Sequence, residues 1–444
     1  MIQKLKAKLK NGDIHLKELL KGSSIAFIFK IFGMGLGYIF TLMIAKWYGA
    51  DTMGLFTLSL TLLNIFVTIG IFGFDNALVK FIAEYNSNNN HDLKKEVYQK
   101  ALTITIPLGL LLSILLFISA DFFAYSVFDN EDLIIFFKIT ALAILPLVLF
   151  NINIAILRGL KKIKEFSFYQ SVGILLISIL LLISLHAYST TDHLTILSQV
   201  LSIVIISIFS FLTINKYFSK EKLLTKILKY KELLSVSFPM LLSTSFALIL
   251  AWTDVIMIGI FDNEDQVGIY NVALKISVLV TLPLMAINTI NGPQIAELYK
   301  RGQSDLKEYI GNSLNLTFMT IVPAFIFIIV FCEDILLFFG KDFLAGSTAL
   351  LILSIAGLIK SLFGPTKITL EMTGKQNSFF FVILIASTLN IILNYVLIPI
   401  YGISGAALAT TISFLISNIV SNYIIKKHLG YYIIFGLINI KGKK

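Results

Sequence analysis

The sequence predicts an all-α integral membrane protein with twelve transmembrane helices in two like-oriented six-helix bundles. Three observations predict it: an apolar composition, twelve long apolar runs, and a polar stretch that is written twice. Hydrophobic residues are 57% of the 444-residue chain, charged residues are 14%, and there are 37 phenylalanines. Soluble domains run at roughly 45–50% and 25%. Water cannot solvate that much apolar surface, so lipid must.

The runs occupy residues 22–46, 53–74, 101–121, 133–157, 167–187, 193–214, 236–261, 267–293, 314–339, 346–366, 378–400 and 403–425. Each is long enough to cross ~30 Å of hydrocarbon at about 1.5 Å per residue. Residues 1–21 carry six lysines and no apolar centre. They are expected to lie as an amphipathic segment on the cytoplasmic surface, not to act as a signal peptide.

Lysine and arginine set the orientation. With the N-terminus inside, 30 basic residues fall in inner segments and only Lys46 and Lys341 in outer loops. The outer loops are acidic instead, as in Asp129 to Ile134 ("DNEDLI") and Asp262 to Gln266 ("DNEDQ"). Both termini are therefore expected in the cytoplasm. The asymmetry reduces the net charge of +10 to a topology signal with attraction to anionic lipids, and removes nucleic acid as a partner.

The stretch from Ile82 to Val97, "IAEYNSNNNHDLKKEV", returns from Ile295 to Ile310 as "IAELYKRGQSDLKEYI". "KELL" at Lys17 and Lys231, and "GLF" at Gly54 beside "GIY" at Gly268, share an offset of 214. Two halves are expected, 1–214 and 215–444, joined by a basic cytoplasmic linker over 215–235. Six spans per half is an even number, so the halves insert alike, related by a pseudo-two-fold along the membrane normal. Such a pair suits a machine that opens to alternate sides around a central site, whereas a passive anchor would not need duplication. Enzyme readings lack support: the loops are short, and no nucleotide-loop, nucleophile or metal-ligand motif stands out. Cys332, the only cysteine, leaves no disulfide or thiolate site in a monomer.

The stretches "AKWYGADTMGLFTL", "GFDNALVKFIAEY", "SFPMLLS", "WTDVIMIG", "VGIYNVALKIS" and "EMTGKQNSFFFVILIASTLNIILNYVLIPIYGISGAALATTIS" resemble, in order and spacing, the multidrug/oligosaccharidyl-lipid/polysaccharide (MOP) exporter superfamily. Within it the chain is similar to polysaccharide-unit flippases of the O-antigen or Wzx type. The resemblance implies a MATE-like fold and a transporter, not an enzyme, with no cofactor. It implies movement of an undecaprenyl-diphosphate oligosaccharide from the cytoplasmic to the outer leaflet of a bacterial cytoplasmic membrane, for cell-surface polysaccharide biosynthesis. Implied partners are that lipid-linked oligosaccharide, membrane lipids, H+ or Na+ as coupling ion, and the glycan polymerase machinery. The alternatives are a cation-coupled multidrug extruder of the same superfamily and a non-transporting assembly factor for glycan synthesis.

Charges inside the spans carry the candidate site, because each costs about 2.5–3.5 kcal/mol to insert at a helix centre. Lys30 shares a face with Ala26, Gly33 and Gly37, spacing that brings backbones close or leaves room for a cavity. Asp254 and Lys275 flank the turn near Glu264 at similar expected depth, so an ion pair competes with a coupling or substrate site. Lys360 is a further cavity candidate, and Lys138 lies near enough to the outer boundary to snorkel. Cations suit the diphosphate that the resemblance implies, whereas a drug extruder would more often line its path with acids. Asn271 lies on the face of Lys275. Asn390 and Asn394, four apart, can bond a sugar or a neighbouring helix. Pro107, Pro146, Pro239, Pro283 and Pro293 permit bends. The terminal "YYIIFGLINI" is too short to span and is expected along the inner surface.

Overall fold

The computed structural model describes residues 14–87, 91–218, 229–301 and 303–435. Residues 1–13 of the amphipathic segment, 88–90 of the repeated stretch, 219–228 of the linker and 436–444 lie outside the described residues. The described chain is helical and has no strand. The helices are α1 Ile14–Ile71, α2 Phe74–Ser87, α3 His91–Phe122, α4 Leu133–Gly159, α5 Ile163–Phe168, α6 Ile174–His186, α7 Leu194–Phe218, α8 Tyr230–Phe261, α9 Glu264–Arg301, α10 Gln303–Val330, α11 Cys332–Phe339, α12 Ser347–Phe363, α13 Thr366–Met372 and α14 Gln376–Leu429.

Among the described residues nine helices are long and apolar enough to cross a membrane. Two of these are broken by one non-helical glycine: Gly49 in α1 (φ 86°) and Gly402 in α14 (φ 55°). Only glycine enters that left-handed region without a Cβ penalty. Both breaks fall where the sequence separates two apolar runs. α14 has 54 residues, about 80 Å of helix if straight, against a ~30 Å hydrocarbon core.

The chain groups into two compact units. The first holds residues 1–42, 62–123 and 133–242, and the second holds 43–61, 124–132 and 243–444. The last of the divisions between them falls inside α8, after Leu242.

In the first unit α4 packs against α2, α3 and α7. Asn153, buried on α4, accepts from Tyr98 Oη at 2.8 Å and donates to Ser210 Oγ at 2.9 Å, joining three helices. A π-helical turn over Tyr169–Gly173 separates α5 from α6. An ideal Cβ on Gly33 would stand 2.1 Å from the Ser171 carbonyl oxygen, so glycine permits backbone contact between α1 and that turn. The small-residue face of α1 is a packing face at this level.

In the second unit α9 and α12 are central, packed with α10 and α14. Of the C-terminal stretch expected along the inner surface, residues 431–435 are described, and they contact the helices of the second unit. Gly430 (φ 83°) ends α14. Asn422 then donates to Ile433 O at 2.9 Å and accepts from Ile433 N at 2.6 Å. Phe435 N bonds Leu362 O, an acceptor left over at the end of α12, at 2.9 Å, and the Phe435 ring stacks on Phe318 at 4.0 Å. Ile433 joins a core of Ile295, Leu306, Ile310, Leu370, Ile425 and their neighbours. Burial pushes the Tyr431 phenol up to about 12.

Candidate functional site

A buried carboxylate organises the second unit. α8 and α9 form a hairpin whose turn is Asp262 and Asn263, with Asn263 Oδ1 accepting from Gln266 N at 3.1 Å. Asp254 lies eight residues before Asp262 and Tyr270 eight after it, so the two stand level. Tyr270 Oη donates to Asp254 Oδ2 at 2.6 Å. From α14, Asn394 Nδ2 donates to Asp254 Oδ1 at 2.7 Å and Asn390 Nδ2 to the same oxygen at 3.2 Å. The break at Gly402 folds the second arm of α14 back, which returns Thr410 to the level of Asn390. Thr410 Oγ1 donates to Asp254 Oδ2 and accepts from Asn390 Nδ2 at 3.2 Å. Asn394 also donates to Asn390 Oδ1 at 3.1 Å. All five side chains are buried.

The donors are two amides and two hydroxyls, all neutral. They meet the carboxylate's hydrogen-bonding needs, which removes part of the cost of burying it. They do not neutralise its charge. The Asn394 Oδ1 atom is buried and accepts no hydrogen bond. Carboxylate, amide carbonyl and hydroxyl oxygens form a hard-oxygen set, suited to a proton or an alkali cation and not to a soft metal. Among the described residues no group of three His, Cys, Asp or Glu could hold a metal ion.

Of the two readings weighed for Asp254 and Lys275, the four side chains hydrogen-bonded to Asp254 do not include Lys275. The turn centres on Asp262 and Asn263, not Glu264. Lys275 therefore lies about one helical turn, ~6 Å, deeper than Asp254, and it is half-buried there. Lys138 pairs with Asp121 at 2.9 Å, so its charge is answered locally. Lys360 is half-buried with its ammonium 3.6 Å from the centre of the Phe414 ring, a cation–π contact. Lys30 is exposed on α1. Asn271 is buried beside Tyr270 with Oδ1 unbonded, outside the Asp254 cluster. Asn390 and Asn394 do join the cluster. Sequence reasoning missed Tyr270 and Thr410, although counting residues from the 262–263 turn would have found the tyrosine.

Comparison with known proteins places this geometry. The family model described as "Polysaccharide biosynthesis protein" matches residues 19–299, and the MatE model matches 239–396. A protein of Haloferax volcanii named "Probable low-salt glycan biosynthesis flippase Agl15" is 27% identical over 424 residues, covering 90% of this chain and 82% of its own. The solved structure "Lipid II flippase MurJ, inward closed conformation" matches with a TM-score of 0.74 at 20% identity, covering 90% of this chain and 87% of that one. An inward-facing MATE multidrug transporter of the MOP superfamily matches with a TM-score of 0.72 at 15% identity, over 88% and 94% of the two chains. The MOP resemblance read from the sequence is borne out.

Proposed function

The chain belongs to the polysaccharide biosynthesis protein family, and on that premise we propose that it is a flippase. It would move an undecaprenyl-diphosphate oligosaccharide from the cytoplasmic to the outer leaflet of the cytoplasmic membrane by alternating access. The observation that carries this is the family match over residues 19–299, and the relative named as a glycan flippase supports it. The glycine breaks in α1 and α14, the α8–α9 turn and the 30-to-2 charge split support twelve spans in two six-helix halves with both termini inside. The Asp254 cluster serves as the coupling site for H+ or Na+: a cation there would neutralise the buried carboxylate, and Asn394 Oδ1, rotated inward, would become a ligand. Lys30, Lys275 and Lys360 supply cations for the diphosphate. Lys138, paired with Asp121, is left out.

The MatE match over 239–396 favours a second reading, extrusion of cationic drugs. Purified protein in liposomes separates the two. A fluorescent polyprenyl-diphosphate disaccharide is followed by an impermeant quencher, and a cationic dye by efflux, each with an imposed H+ or Na+ gradient. The flippase reading expects lipid movement and no dye efflux. Dye efflux without lipid movement overturns it.

A further inference from the structure

The turn from α4 into α5 gathers cations that the first unit leaves unpaired. Arg158, Lys161, Lys162 and Lys164 fall within the stretch "RGLKKIK". Among the described residues none of the four forms an ion pair with a carboxylate. Lys100, by contrast, pairs with Glu96 at 2.7 Å. Two of the four cations are seated on rings instead. The Arg158 guanidinium stands 6.0 Å from the centre of the Phe166 ring, and the Lys162 ammonium 4.8 Å from that of Tyr217 on α7. Tyr217 is held in turn by Glu165, to whose Oε1 it donates at 3.0 Å. A ring attracts a cation without neutralising it, so the charge stays available to an anion. Asp75 is within electrostatic reach of Arg158. The four cations thus outnumber the acids Asp75 and Glu165.

The backbone adds a second observation. α4 ends in a Schellman motif: Lys162 N bonds Leu157 O at 2.9 Å, and Lys161 N bonds Arg158 O at 3.1 Å. The left-handed position of that motif is held by Lys161, at φ 58°. Glycine would adopt it without strain, whereas lysine does not. The Lys161 side chain is exposed, as is that of Lys164. Attraction to the helix end is already served by Arg158 and Lys162, and does not explain a strained lysine between them.

We propose that this turn is a headgroup site for an anionic phospholipid of the inner leaflet. The inference goes beyond the proposed transport activity and rests only on the inner placement of the turn. A planar guanidinium and three ammonium groups are donors suited to phosphate oxygens, and basic clusters beside a span attract anionic lipid. Tyr217 is a ring of the kind found at headgroup level. Phe168, a turn further into the span and 37% exposed, offers apolar surface to an acyl chain. That combination favours a lipid over a soluble phosphate or an acidic protein. A headgroup held here also joins the end of α4 to the end of α7, through Lys162 and Tyr217.

Full-length protein is reconstituted in phosphatidylcholine vesicles containing a trace of phosphatidylglycerol with a photoreactive group on its acyl chain. Illumination should place label on residues 158–176. Unlabelled phosphatidylglycerol should displace it, and inorganic phosphate or added phosphatidylcholine should not. Arg158→Gln/Lys161→Gln/Lys162→Gln/Lys164→Gln should lower the labelling there about ten-fold or more. Lys367→Gln/Lys375→Gln/Lys426→Gln/Lys427→Gln, which removes the same charge from the second unit, should leave it unchanged. Lys161→Gly removes one cation while relieving the backbone, so it should accumulate at least as well as wild type and lose labelling several-fold. It decides the matter if the quadruple variant fails to fold. Equal loss in the two quadruple variants would reduce the turn to a share of the general surface potential and overturn the site. Wild-type labelling of Lys161→Gly overturns it too, as does displacement by inorganic phosphate. Stronger displacement by a polyprenyl diphosphate than by phosphatidylglycerol would assign the turn to the carrier instead of a phospholipid. The readout needs no transport, so failure of the flippase reading leaves this result standing.

Discussion

The offset of 214 that relates Gly54 to Gly268 relates Phe40 to Asp254 and Phe56 to Tyr270. In the later copy these positions form a hydrogen-bonded carboxylate cluster. In the earlier copy both are buried phenylalanines, 3% and 2% exposed. The same offset thus meets two buried rings in one place and an acid with its donors in the other. A second buried carboxylate at the earlier positions would add a second desolvation cost.

The largest effect should come from forcing the comparison to fail at Phe40. Phe40→Asp removes a buried ring, which alone costs roughly 3–5 kcal/mol, and buries a carboxylate at a position only 3% exposed. The variant should yield little monodisperse protein on detergent extraction, while Phe40→Leu should accumulate near wild-type levels. Wild-type amounts of Phe40→Asp would mean that the earlier site can solvate a charge after all, and the asymmetry would lose its meaning.

Asp254→Asn should have the next largest effect and a different kind. It removes a buried charge while keeping the volume, so protein amount should stay near wild type while lipid movement in liposomes is lost. Because Lys275 lies a turn deeper and is not bonded to Asp254, adding Lys275→Met should not restore transport. Recovery in the double variant would reinstate the pair as a neutralising staple and remove Asp254 from the coupling site.

What the sequence made legible follows from the reach of each signal. The ends of α8 at Phe261 and of the run beginning at Leu133, and the breaks at Gly49 and Gly402, come from local hydropathy and glycine chemistry. They were readable to within a few residues. Depth inside the membrane was less secure, because an error of one or two residues in a turn shifts two helices past one another. Such an error set Lys275, and not Tyr270, level with Asp254. Thr410 was harder still. It reaches Asp254 only because α14 folds at Gly402, 156 residues away in sequence, and no local pattern encodes that meeting. The fate of each lysine depended on the neighbouring element: Asp121 for Lys138 and Phe414 for Lys360.

The smallest effect should distinguish the two buried asparagines that each knit one unit. Asn153 joins Tyr98 and Ser210, side chains that keep other options. Asn422 instead holds both backbone groups of Ile433, within the core of α9, α10, α13 and α14. Asn422→Ala strands a donor and an acceptor, and because the segment ends the bundle, water can reach them as it loosens. The cost should be about 1–2 kcal/mol, expressed as local opening. Amide hydrogen exchange should therefore accelerate over residues 431–435 and leave 98–153 unchanged, whereas Asn153→Ala should do the reverse. Exchange that quickens throughout the chain with Asn422→Ala would show that the terminal segment opens only with the whole molecule. The two units would then share one cooperative unfolding, and the contrast between the two regions would not extend to stability.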